Sequence, residues 1–298
     1  MLAVLCMALL LAACTPAASS TPADGGGQVV VVATMSVFAD FAERVGGEHV
    51  DVSSIVPVGG DPHTYEPTPS DAVLLASADV VLDNGLGLSP WFEPLATNVS
   101  GALVTLTDGV ADEARQTAGK IDPHMWMVPD YVDRGYVTAI ERTLADIDPD
   151  NAAAYAANAA VFREVLSELD AELGAEIATI PVGRRKVVTS HDAYSYFADA
   201  YGLEVVGTIT GVTTEEEPSA RSVSELIDRV RAEQVPAVFF ETTINPELAE
   251  RVARDAGVAL GAPLYGDSVG EPGSGADDYV SMMRANVAAI VAGLRGGS

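Results

Sequence analysis

Four histidines occur in the 298-residue chain, and three of them stand in short loops beside an aspartate. His63 ends Gly60-Asp61-Pro62-His63, His124 ends Asp122-Pro123-His124, and His191 lies in Ser190-His191-Asp192. Neutral imidazole is a ligand for first-row transition metals, and a proline just before it stiffens the loop that aims the ring. A nearby carboxylate can accept the other ring N–H and fix the tautomer, although a sequence neighbour need not be the spatial partner. One loop histidine is ordinarily a surface residue; three in this setting predict imidazoles gathered around one cleft. A fourth ligand is expected from the second half of the chain. Asp267, in Tyr265-Gly266-Asp267-Ser268, follows the last expected strand and is the first choice. Glu241, ending Val238-Phe239-Phe240-Glu241, is the alternative, as a ligand or as an acceptor behind one. Three imidazoles and a carboxylate form a borderline-hard donor set suited to Zn²⁺, with Mn²⁺, Fe²⁺ and Co²⁺ also able to use it. Because the imidazoles must be neutral, affinity is expected to fall below about pH 6. His49, in Gly46-Gly47-Glu48-His49, reads as an ordinary residue of a helix-to-strand turn.

Such loops need a frame that delivers them to one place. From Val29 onward, β-branched runs alternate with amphipathic helical stretches, the rhythm of parallel sheets flanked by helices. Strands are expected at 29–33, 50–56, 80–83 and 103–106 in the first half, and at 186–189, 204–208, 237–241 and 263–265 in the second. In open parallel sheets ligands bind beyond the carboxyl ends of the strands, where the His63 and His191 loops fall. Between the halves, residues 150–179 are rich in Ala, Leu and Glu without Gly or Pro until Gly174. They predict one helix roughly 40 Å long, with Asp148 or Asp150 as N-cap and Pro149 in the first turn. The expected fold is α/β with two lobes, each a mostly parallel four-stranded sheet flanked by helices, joined by one long rigid helix. The lobes span 29–149 and 181–298, with the linking helix at 150–180.

Composition narrows the class. Apolar residues make up 48% and charged ones 20%, which predicts a globular chain. A formal net charge of −27 excludes nucleic acid as a partner, since binding phosphates needs clustered Lys and Arg. Residues 1–13 form an apolar run too short for a permanent membrane span, ending at Leu11-Ala12-Ala13-Cys14, and read as a signal peptide. That ending resembles a lipobox, so cleavage and lipidation at Cys14 are expected, followed by a flexible tether over 14–28. With Cys6 removed and Cys14 lipidated, no thiol is left for a metal, and the site must use histidine and carboxylate. The HExxH motif is absent from the sequence, which argues against a zinc hydrolase of that class. The run Glu215-Glu216-Glu217 reads as a solvated loop, and Tyr194, Tyr196, Phe197 and Tyr201 as core at helical spacing.

Six segments in order carry a family resemblance: VPVGGDPHTYEPTPSD (56–71), NGLGLSPWFEPL (84–95), DPHMW (122–126), SHDAYSYFADAYGL (190–203), EPSARSVSELIDRV (217–230) and FFETTINPELAERVARDAG (239–257). From about Val29 onward the chain resembles the zinc/manganese substrate-binding lipoproteins of ABC importers, the cluster A-I (cluster 9) receptors. The resemblance implies metal ligands at His63, His124, His191 and Asp267, and a metal held between two α/β lobes bridged by one helix. It implies a monomer without enzymatic activity that is lipid-anchored outside the cell membrane and hands its ion to an ABC permease and its ATPase subunit. Members with His at the third ligand position are usually zinc receptors and those with Glu there tend to take manganese, so His191 favours Zn²⁺, with Mn²⁺ as the alternative. Some members are described as adhesion antigens, which makes a surface adhesin a further alternative. Two departures are visible: residues 107–121 hold no histidine where many zinc receptors carry a His-rich loop, and Val128 stands where relatives commonly have Asp.

Overall fold

The computed structural model describes residues 27–117 and 119–296. The expected signal peptide, Cys14 and the tether up to residue 26 lie outside the described residues.

The valine run forms β1 (Val29–Ala33), which pairs in parallel with β2 (Val50–Ser54) on one side and β3 (Val80–Asp83) on the other; β4 (Ala102–Thr105) completes the order β2-β1-β3-β4. Val31, Val32 and Ala33 are all buried, so both faces of β1 are covered, as a parallel strand between helical layers requires. Helix α1 (Ser36–Gly46) covers one face with Phe38, Phe41 and Val45. Helix α2 (Pro69–Ser77) lays Leu75 on the other, and it starts where Pro69 opens the helix and Thr68 N donates to Asp71 Oδ2.

After β4 the chain makes a hairpin, β5 (Gln116–Thr117) with β6 (Lys120–Ile121), then α3 (Pro129–Tyr131), a π-turn over Val132–Val137, and α4 (Thr138–Ile147). None of these is among the elements named from the sequence; the two-residue strands and the π-turn leave no periodic signal, whereas α4, with Ile140 and Leu144 buried, carries a legible amphipathic pattern.

The linking helix α5 (Ala152–Ala178) is 27 residues long, or about 40 Å. Its start differs from expectation: Pro149 heads a short 3₁₀ turn, the cap position falls on Asn151, and Asp148 accepts from Asn151 Nδ2 and Tyr155 OH instead of capping the backbone. Tyr155, Ala159, Phe162, Leu166, Leu169, Leu173 and Ile177 are its buried residues, a stripe at three- and four-residue intervals. The stripe packs on α1 and α4 of the first lobe and on α9 (Tyr279–Arg295) of the second.

The second sheet is also parallel, in the order β10-β9-β7-β8, with β7 (Lys186–Thr189), β8 (Glu204–Thr208), β9 (Ala237–Val238) and β10 (Ala259–Leu260). Helices α6 (Ser195–Tyr201), α7 (Ala220–Ala232) and α8 (Glu247–Ala256) flank it. The strand expected at 263–265 is reduced to one parallel bridge, Glu241 with Leu264, and the ladder strand lies earlier at β10. Pro263 offers no N–H to a ladder, and Gly261 sits where a side chain would run into the Phe239 ring, so the strand is broken between its two pieces. One core cluster runs from β1 and α1 through α5 to α9, and it includes an edge-to-face contact of Phe41 with Tyr279 at 5.0 Å. The lobes are thus continuous on the α5 side.

Candidate metal centre

Each of the four expected ligands leaves a loop shaped by its own neighbours. His63 follows β2; its backbone N–H donates to Asp61 Oδ1 (2.8 Å), and Trp91 Nε1 donates to the Pro62 carbonyl (2.7 Å). His124 follows the hairpin; its N–H donates to Asp122 Oδ1 (3.0 Å), while Asn84 Nδ2 holds the Pro123 carbonyl (3.1 Å). His191 follows β7, and its N–H donates to Glu241 Oε1 (3.0 Å). Asp267 follows the Leu264 bridge, and the carbonyl of Gly266 accepts from Trp126 Nε1 (3.0 Å) in the opposite lobe. A Cβ at Gly266 would stand 2.5 Å from Glu241 Oε2, so a side chain there would displace the carboxylate behind His191.

The four side chains converge with almost no exposure, at 2%, 0%, 0% and 1% for His63, His124, His191 and Asp267. His124 Nε2 lies 3.3 Å from His63 Nε2 and 3.2 Å from His191 Nε2. Asp267 Oδ2 is 3.6 Å from His63 Nε2 and 3.3 Å from His191 Nε2, and Oδ1 is 3.6 Å from His124 Nε2. Both Asp267 oxygens lack a hydrogen-bond donor. A buried carboxylate without donors, facing three imidazole nitrogens, is costly unless a cation sits among them. Among the described residues, this is the one group of His, Cys, Asp and Glu spaced to hold a metal ion.

Behind the rings, the sequence-neighbour reading holds for one histidine of three. Asp122 Oδ1 lies 2.8 Å from His124 Nδ1, which turns the Nε2 lone pair of that ring toward the centre. Asp61 takes the backbone of His63 and not its ring, and His63 Nδ1 has no polar partner. Asp192 turns away to accept from Ser195 Oγ. The acceptor behind His191 is instead Glu241, whose Oε2 lies 2.8 Å from Nδ1, off the line of an ideal hydrogen bond. Glu241 is therefore placed behind a ring and outside the convergent four. Tyr196, expected as core, is buried and also works on the site, since its hydroxyl donates to the Asp122 carbonyl (2.9 Å). Its helical spacing gave no hint of that second contact. His49 packs against Tyr155, outside the cluster, and Glu215, Glu216 and Glu217 are exposed.

Burial holds His63 and His124 well below the ordinary imidazole range, reinforced by the neighbouring rings, so both stay neutral. Burial also lowers His191, but the Glu241 and Asp267 carboxylates outweigh it and push that ring up to about 10. Asp267 is raised by burial to about 7, and Asp122 by burial to about 6. A metal-free centre therefore keeps a proton at His191 near neutral pH. A divalent cation would take over the charge balance that the proton supplies.

Residues 31–293 match the family described as zinc-uptake complex component A, periplasmic. The chain is 38% identical over 292 residues to the manganese-binding lipoprotein MntA of Halalkalibacterium halodurans, covering 98% of this chain and 96% of the relative. It is 33% identical over 302 residues to the metal ABC transporter substrate-binding lipoprotein SsaB of Streptococcus sanguinis, covering 96% of each. Among solved structures, the periplasmic zinc-binding protein TroA of Treponema pallidum superposes with a TM-score of 0.87 at 28% identity, over 91% of this chain and all of that one. A manganese-bound periplasmic metal-binding protein of Candidatus Liberibacter asiaticus gives 0.79 at 27% identity, over 89% of this chain and 98% of its own.

Proposed function

This chain belongs to the periplasmic zinc-uptake component A family of ABC-transporter solute-binding proteins, which are not enzymes, and from that premise we propose that it captures Zn²⁺ between its lobes and delivers it to an ABC permease. His63 and His124 from the lobe at 29–149, and His191 and Asp267 from the lobe at 181–298, hold the ion, with the helix at 150–180 joining the two. The protein acts as a monomer outside the membrane, anchored through lipid on Cys14, and its permease works with an ATPase subunit. Relatives named as ABC-transporter substrate-binding lipoproteins support that setting.

The observation that carries the reading is the spacing of the donors. In a tetrahedron the edge is about 1.63 times the centre-to-corner distance. The separations of 3.3 and 3.2 Å from His124 Nε2 to the other two rings, and of 3.6 and 3.3 Å from Asp267 Oδ2 to His63 and His191, thus correspond to bonds of about 2.0–2.2 Å, the range of Zn–N and Zn–O bonds. With four protein donors and no exposed position, the site suits capture and not hydrolysis, which needs an open coordination position for water.

Mn²⁺ is the second reading. Two observations favour it: the relative at 38% identity is named for manganese, and both Asp267 oxygens face inward and can bind together, giving a five-coordinate N₃O₂ set. Chelator-stripped protein titrated with Zn²⁺ and Mn²⁺ against a chromophoric chelator decides between them. One tight zinc equivalent that manganese barely displaces, and that His63→Ala and Asp267→Ala both weaken, supports the zinc receptor. Tight manganese binding moves the cargo to Mn²⁺, and failure to bind either ion removes the reading.

A further inference from the structure

We propose that Asp61 is a positioning residue that sets how long the ion stays, by tying the His63 loop to the opposite lobe through Thr214. The inference rests on the receptor reading above. His124 and His191 are backed by carboxylates of their own lobes, Asp122 and Glu241, and keep those partners however far the lobes separate. His63 has no such support, since its Nδ1 is without a partner in a buried setting. Its place is fixed through the backbone: the His63 N–H donates to Asp61 Oδ1 at 2.8 Å. The other oxygen of Asp61 accepts from Thr214 Oγ1 at 2.5 Å, from the second-lobe segment between β8 and α7. Earlier in the same loop, Gly59 N donates to Ser268 Oγ at 2.8 Å, one residue past Asp267. Residues 59–63 are therefore pinned at two points to the opposite lobe, on the loop whose ring is least supported. When the lobes part, the His63 loop loses both cross-lobe ties and keeps only the Trp91 bond to Pro62 and the Asp61 bond to its own backbone, while the other two rings keep the carboxylates that aim them. Thr214 is the better probe of the two, because it lies outside the ligand loops and its hydroxyl makes the cross-lobe bond.

The test uses the full chain loaded with Zn²⁺ or Mn²⁺ and mixed rapidly with excess chelator. Thr214→Val, nearly isosteric but without the hydroxyl, is expected to release the ion about tenfold faster, the worth of a charge-assisted hydrogen bond in a partly exposed setting, while the association rate stays within about twofold. Thr214→Ser restores slow release. Lys120→Ala, which removes the exposed cross-lobe pair with Glu216, leaves the rate unchanged. Asp61→Asn weakens the same bond from its other end, so the double variant with Thr214→Val releases no faster than the quicker single variant. Release from Thr214→Val at the wild-type rate, failure of Thr214→Ser to restore it, or additive effects in the double variant would each overturn the proposal while leaving the receptor reading intact. A wild-type chain that holds neither ion would remove that reading and this inference with it.

Discussion

Glu241 and Asp122 each take one side of an imidazole whose other side faces the centre, so each lends negative charge to a ring that must donate a lone pair. Glu241→Gln keeps the shape and removes the charge. Competition titration is expected to show affinity lowered by about 10- to 100-fold, the usual cost of losing an outer partner of a metal-bound histidine. The same carboxylate shapes the pH response. With the His191 ring raised to about 10 from an ordinary 6.5, metal must displace a proton, so affinity is expected to keep climbing well above pH 7 and not to level off near 6. Titration calorimetry in buffers of different ionisation enthalpy would detect the proton released. Stability of the metal-free chain runs the other way. A group whose folded value is raised stabilises fully below its unfolded value and loses that contribution as pH rises through the folded one. His191 and Asp267, raised to about 10 and about 7, both act in this sense, while His63 and His124, held well below their ordinary value, act oppositely below about pH 6.5, so the melting temperature of the stripped chain is expected to fall between about pH 7 and 9. Of these groups, Asp122 was legible in the sequence because its partner is two residues away. The pairing of Glu241 with His191 spans 50 residues and becomes visible only when β7 and β9 lie side by side.

At the scale of elements, α5 shows what periodicity can and cannot tell. Its length was legible from a run of good helix formers, and Gly174 does not end it because the helix packs on both sides of that residue. Its first turn was not, because Pro149 and Asp148 fit a 3₁₀ turn as well as an α-helical start. The misplaced last strand has a similar cause. Residues 263–265 have strand-like composition, yet Pro263 cannot donate to a ladder and the neighbouring Gly261 is needed for close approach to Phe239. Leu169, fully buried in the middle of the α5 stripe, is shared by a core that reaches both lobes. Leu169→Ala is expected to cost about 2–5 kcal/mol. Chemical denaturation should show both lobes losing structure in one shifted transition; two separate transitions would contradict a shared core.

For the whole molecule, the two-lobe plan and the family were legible because six segments recur in order, whereas the contacts between lobes were not, since they join residues far apart in sequence. The net charge of −27 also acts at this scale, drawing cations toward the cleft through a field that salt screens. The association rate for Zn²⁺ is therefore expected to fall with ionic strength in stopped-flow mixing, while the dissociation rate changes little. The sequence holds two tryptophans, and each donates its indole N–H to a carbonyl one residue before a proposed ligand: Trp91 to Pro62 within one lobe, and Trp126 to Gly266 across the two. Indole emission shifts with hydrogen bonding and local polarity, so the chain carries a dye-free optical gauge with two channels. Trp126→Phe would silence the channel that reads separation of the lobes and leave the one that reads the His63 loop, which makes the sequence of opening events observable in light.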